Sequence, residues 1–147
     1  MPRQTTASTA AIATGHPLGA EAGLEILREG GNAIDAAVAA MIALSVVIPG
    51  SVGLGGYGGS AVLRVPNSKS KSRIFAVDFD SRTPLEFRDG LVTADADSNY
   101  YGARSVTVPA IVAGLDLILR EFGSKTWRDV SQPAIRLAGQ GFEFDAE

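Results

Sequence analysis

The 147-residue chain reads as an α+β fold on three observations. Helix-period apolar patterns occupy both ends of the sequence, a pair of alternating runs suited to a hairpin occupies the middle, and a dense glycine stretch separates the first helices from that hairpin. A single domain over residues 1–147 is expected at this length, which buries roughly 70% of the surface that the unfolded chain exposes.

Residues 8–14 alternate small and apolar side chains and lead into His16-Pro17, where proline holds the preceding residue extended, so a short strand is expected there. Over residues 18–29, Leu18, Ala22, Ile26 and Glu29 share one face while Leu24 and Leu27 widen the apolar stripe, the pattern of a surface helix that Gly30-Gly31 then caps. Asn32 is suited to cap the next helix, with Asp35 at the third helical position near the exposed amides and positive dipole end. Residues 33–47 are almost wholly apolar with six alanines, which predicts a helix buried on all sides and closely packed; Pro49-Gly50 ends it. Six glycines among residues 50–59 require a turn. Residues 60–65 and 73–79 then read as an antiparallel pair joined by the 66–72 loop, 89–102 as polar loop, and 109–122 and 127–139 as helices, the first with Pro109 at its favoured opening position.

Composition narrows the function. Hydrophobic residues at 46% and charged residues at 20% describe an ordinary globular protein rather than a disordered one. A net charge of −3 with scattered basic residues gives no footprint for nucleic acid, and Lys69, Lys71 and Arg73 read as a solvated loop. The absence of cysteine excludes disulfides, thiolate metal sites and cysteine nucleophiles. No secretory apolar region follows Met1, and the longest apolar run, 33–49, is interrupted by Asp35 and Ser45 and falls short of a comfortable span, so no membrane partner and a cytoplasmic location are expected.

Letter by letter, Gly53-Leu54-Gly55-Gly56-Tyr57-Gly58 fits the dinucleotide fingerprint G-x-G-x-x-G, but it follows a helix and opens a strand, the reverse of what phosphate binding needs. A structural bend beside a cleft is the better reading. His16 is the one histidine and sits beside proline, which suits a structural residue more than a general base. Asp78 with Asp80, and Asp95 with Asp97, read as solvated acids; neither a metal nor a cofactor is expected.

Four blocks carry a family resemblance. Gly15-His16-Pro17-Leu18-Gly19-Ala20-Glu21-Ala22-Gly23-Leu24-Glu25-Ile26-Leu27 with Glu29-Gly30-Gly31-Asn32-Ala33-Ile34-Asp35-Ala36-Ala37, then the glycine stretch, resemble the opening of the gamma-glutamyltranspeptidase large subunit. Val106-Thr107-Val108-Pro109-Ala110-Ile111-Val112-Ala113-Gly114-Leu115 resembles its VPG-x-VAG-L helix start. Trp127 with Gln132-Pro133-Ala134-Ile135-Arg136-Leu137-Ala138 and Gly141-Phe142 resembles its W…PAI-x-LA-x-x-GF segment. The resemblance implies part of a four-layer αββα Ntn-hydrolase sandwich, incomplete without a partner segment. It also implies a self-cleaving precursor whose nucleophile is the new N-terminal threonine of a small subunit, its own amine serving as base. This chain would then be the N-terminal portion of the large subunit, with no catalytic residue of its own. It would act with that small subunit on a small-molecule amide or gamma-glutamyl substrate, and the glycine bend would lie close to the substrate.

The stretch Val77-Asp78-Phe79-Asp80-Ser81-Arg82-Thr83-Pro84 resembles the family's D-[FG]-R-E-x-A-P pattern, whose arginine clamps the substrate α-carboxylate through a charge-assisted fork. Asp80 stands at that arginine's position, Ser81 at the glutamate's, and Arg82 two positions on. Either Arg82, about 6.6 Å along an extended chain and on the same face, reaches the same carboxylate, or the acyl group is not gamma-glutamyl. Asp80 and Arg82 are therefore the candidate substrate-binding residues. A noncatalytic family member or fragment with a structural or binding role is the alternative from another class.

Overall fold

The computed structural model describes residues 9–66, 71–88, 97, 100–103 and 105–143. Its elements are α1 (Pro17–Arg28), α2 (Ala33–Val47), β1 (Ser60–Val65), β2 (Arg73–Asp78), α3 (Ile111–Phe122) and α4 (Trp127–Gln140). The α+β architecture is as expected. The chain divides into two compact units, residues 1–54 with 115–147, and residues 55–114.

In the first unit the helices start and stop where local chemistry dictates. His16 is extended, and its Nδ1 accepts from the Leu18 N–H at 3.2 Å, capping α1, with Pro17 contributing its fixed φ at the first turn. Gly30 at φ +82 supplies the left-handed residue that ends it. Asn32 caps α2 by accepting from Ile34 and Asp35, while the Asp35 carboxylate returns to the Asn32 N–H at 2.7 Å, a reciprocal capping box. α1 packs on α2 and α2 on α4. Ala22, Ile26, Val38, Ala39, Ala43, Val47, Val130 and Ala134 are buried. The close approach of α1 to α2 needs Gly23: a Cβ there would lie 2.9 Å from the Ala36 carbonyl oxygen.

Asp35 does more than cap. It is fully buried, and besides Asn32 it accepts from the Ser124 N–H at 2.9 Å, the Ser124 hydroxyl at 2.6 Å and the Lys125 N–H at 3.0 Å. Burial pushes its carboxyl up, but the bonds from the Ser124 hydroxyl and from the Asn32, Lys125 and Ser124 amides outweigh that and hold it below the usual carboxylate value. Lys125 meanwhile donates through Nζ to the Glu29 carbonyl at 2.7 Å, so one turn between α3 and α4 ties the end of α1 and the start of α2.

In the second unit β1 and β2 pair antiparallel, with Leu63 opposite Phe75 and Val62 opposite Ala76. Leu63 is buried, whereas Val62 and Ile74, on the other face, are 77% and 73% exposed. Beyond β2 the Phe79 N–H donates to the Gly59 carbonyl at 2.9 Å, and an isolated bridge joins Arg82 to Val108.

Four expectations are corrected. Among the described residues 9–14 there is no strand: the ladder found in the described residues joins β1 to β2 alone, and Thr14 turns its hydroxyl onto the His16 carbonyl at 2.6 Å, a local bond in place of a strand partner. α2 is not buried on all sides, since Ala33 and Ala37 are exposed along an apolar groove of about 550 Å³ shared with residues 9–14. α3 opens at Ile111 rather than Pro109, because both backbone groups of Val108 are held in the bridge to Arg82 and the chain must leave extended geometry before it can coil. The polar 89–102 segment lies mostly outside the described residues, and its described part contains a helical bond from the Tyr101 N–H to the Asp97 carbonyl at 2.9 Å rather than open loop. Lys69 also lies outside the described residues; Lys71 is exposed.

Candidate functional site

Three stretches of the second unit meet around the segment after β2: the end of the glycine bend, residues 79–82, and residues 105–109. Phe79 anchors the segment. Its ring is buried against Gly59, where a Cβ would come within 3.0 Å of Cε2, and against Gly114, where a Cβ would come within 2.7 Å of Cδ1 and closer still to Cβ and Cγ. These two positions have room for the ring because they carry no side chain.

Gly58 forms the next contact. At φ +134 it lies in a region that L side chains rarely enter, and a Cβ would sit 2.6 Å from the Phe79 carbonyl oxygen and 2.7 Å from the Ser81 nitrogen. The glycine bend therefore lies backbone to backbone on the Asp80 segment, as the expected close approach required. The bend follows α2 and opens β1, so the context for dinucleotide binding is not met.

Asp80 and Arg82 are both exposed. The Asp80 N–H donates to Asp78 Oδ1 at 3.0 Å, and Asp80 Oδ1 accepts from the Ser81 N–H at 2.8 Å, a local turn that carries the chain out of β2. Arg82 is fixed by its backbone: its N–H donates to the Val108 carbonyl at 3.0 Å, and its carbonyl accepts from the Val108 N–H at 2.8 Å. Among the described residues neither side chain forms an ion pair, with the other or with a third group. Two opposite charges two residues apart on one anchored segment are thus left to face solvent.

Beside this segment lies an open pocket of about 250 Å³, lined by Gly55, Gly56, Tyr57, Ser105, Val106, Thr107 and Pro109. Sequence reasoning found its glycine side but not its other wall, because nothing in the pattern pairs residues 105–109 with a bend some fifty positions earlier. Tyr57, alone with a side chain among five consecutive positions, was the available signal. His16, whose place beside proline suits a structural residue, is occupied as the cap of α1. No helix among the described residues is long and apolar enough to cross a membrane.

The gamma-glutamyltranspeptidase family model matches residues 19–147. Glutathione hydrolase 3 of Arabidopsis thaliana is 38% identical over 122 residues, covering 83% of this chain and 18% of that protein. Acylase ACY 1 proenzyme of Pseudomonas sp. (strain V22) is 36% identical over 151 aligned residues, covering 95% of this chain and 26% of that protein. The crystal structure of Helicobacter pylori gamma-glutamyltranspeptidase superposes with a TM-score of 0.83 at 35% identity, over 96% of this chain and 40% of that one. The chain spans about a fifth to a quarter of the length of these curated relatives.

Proposed function

The chain belongs to the gamma-glutamyltranspeptidase family, and on that premise we propose that it is a large-subunit segment of an Ntn amidohydrolase or acyltransferase that cleaves a small-molecule amide or gamma-glutamyl bond. The observation that carries this reading is the continuous likeness to the Helicobacter pylori enzyme over 96% of the chain. The nucleophile is the N-terminal threonine of a separate small subunit. Its hydroxyl oxygen attacks the amide carbon, its amine takes the hydroxyl proton and passes it to the departing amine, and water or a second amine then releases the acyl group.

Within that reaction this chain holds the acyl group. Arg82 pairs with a carboxylate on the substrate, replacing the clamp that the resemblance places two residues earlier, and Asp80 faces its ammonium group. A gamma-glutamyl group carries both charges on one carbon, and the unpaired, oppositely charged side chains of one anchored segment suit such a zwitterion.

Three p-nitroanilides test this in the whole processed enzyme: gamma-glutamyl, glutaryl (no ammonium) and 4-aminobutyryl (no carboxylate). Arg82→Ala is expected to raise KM about tenfold for the first two and to leave the third unchanged; this is the low end of a charged hydrogen bond, as befits an exposed site. Asp80→Asn is expected to do the same for the first and third. Equal effects on all three would remove both residues from the substrate site. Intact mass spectrometry of the product of the full gene should find a second polypeptide beginning with threonine, and its absence would favour the noncatalytic alternative.

A further inference from the structure

We infer that Tyr57 and the 105–109 segment form a subsite for an aromatic, planar substituent adjoining the amide that is cleaved; this rests on the amidohydrolase reading above. Within Gly55-Gly56-Tyr57-Gly58-Gly59 only Tyr57 carries a side chain; it is 74% exposed, and its phenol has no hydrogen-bond partner among the described residues. A large aromatic held in water on a stretch otherwise stripped of side chains is a surface waiting for a ligand of matching shape.

Both walls of its pocket are fixed to the segment that bears the charges. Gly58 lies on the backbone of Phe79, Asp80 and Ser81, and Gly59 accepts from the Phe79 N–H, so Tyr57 is carried by a braced bend. The opposite wall, Thr107 and Pro109, flanks Val108, which exchanges two hydrogen bonds with Arg82. The segment that bears Asp80 and Arg82 is thus bonded through its backbone to both walls of this pocket.

The size and chemistry select the substituent. About 250 Å³ is below the ~300–1,000 Å³ that holds a whole ligand, so the pocket takes a part of one, a ring with its attached group. The Tyr57 ring, Val106 and Pro109 provide apolar surface. The Ser105 hydroxyl already donates to the Gly102 carbonyl at 2.8 Å, which leaves its lone pairs to accept, as from the N–H of an anilide.

The test compares the p-nitroanilide and the methylamide of one acyl group in the whole processed enzyme, wild type against Tyr57→Gly and Tyr57→Leu. Tyr57→Gly is expected to raise KM for the anilide about three- to tenfold, the range one aromatic contact supplies, and to leave the methylamide unchanged. Tyr57→Leu, which keeps apolar bulk without the ring, should fall between. Independently of turnover, saturation-transfer NMR should detect acetanilide but not N-methylacetamide on the wild type, with the acetanilide signal reduced in Tyr57→Gly. Equal KM changes for both amides, or undiminished acetanilide binding in Tyr57→Gly, would overturn the subsite. If the wild type cleaves no amide, the reaction assigned above fails, and the acetanilide titration alone decides the role of Tyr57.

Discussion

Asp35 carries a full charge in a place with no exposed surface, and four donors make that stable. An unfolded aspartate titrates near 3.9; in the folded chain burial raises the carboxyl, and the bonds from Ser124, Asn32 and Lys125 bring it below the usual 3.8. The native state thus releases this proton more readily than the unfolded state. Its contribution is complete above roughly pH 5 and is lost as pH falls through the unfolded value toward the depressed folded one. Asp35→Asn should cost about 1–3 kcal/mol at neutral pH, since an amide cannot accept from all four donors, and should flatten the acid side of the stability curve. Urea midpoints between pH 3 and 7 check both; parallel curves for variant and wild type would assign the acid sensitivity elsewhere. The sequence revealed half of this residue's role. Its place three residues after Asn32 marked the helix start, but donors 89 and 90 positions away leave no trace in a local pattern.

Elements whose signals are local were legible, and those that depend on a distant strand were not. The Asn32 start of α2 and the Gly30-Gly31 stop of α1 were read from consecutive residues, and His16 and Thr126, which cap α1 and α4, with Gly141 at the end of α4, are signals of the same local kind that went unread. Residues 9–14 alternate like a strand, yet alternation makes a strand only where an edge offers hydrogen bonds. Pro109 fitted the first turn of α3 by type, but its neighbour Val108 was already committed to Arg82. The same long-range dependence explains Gly114, in the first turn of α3, which reads as a weak helix residue and in the fold is the slot for Phe79. Gly114→Ala should therefore lower stability by roughly 1–3 kcal/mol through overpacking, although alanine is the better helix former. Combining it with Phe79→Leu should cost less than the sum of the two single changes, because both act on one contact. Additive midpoints in a double-mutant cycle would show that the Phe79 slot does not set the cost.

At the scale of the whole molecule, the candidate charges could be named from sequence because the family pattern spans seven consecutive residues, whereas the pocket beside them is assembled from both ends of the second unit. The sheet also bears on what the chain needs. One face of the β1–β2 pair presents Val62 and Ile74 to water, diagonal neighbours in the register, and a two-stranded sheet alone is marginal in stability. The fold to which the chain belongs lays sheet on sheet, so in the complete enzyme these residues should meet a second layer. That gives one substitution pair opposite effects in two settings. Val62→Thr with Ile74→Thr keeps β-branched residues in both strands and removes the apolar patch. In this chain expressed alone it should reduce concentration-dependent association, read by light scattering. In the whole processed enzyme the same pair should lower the urea midpoint, because it then removes buried methyl groups, each worth about 1 kcal/mol. If the pair leaves the whole enzyme as stable as the wild type, the face stays in water there and the exposed patch needs another occupant.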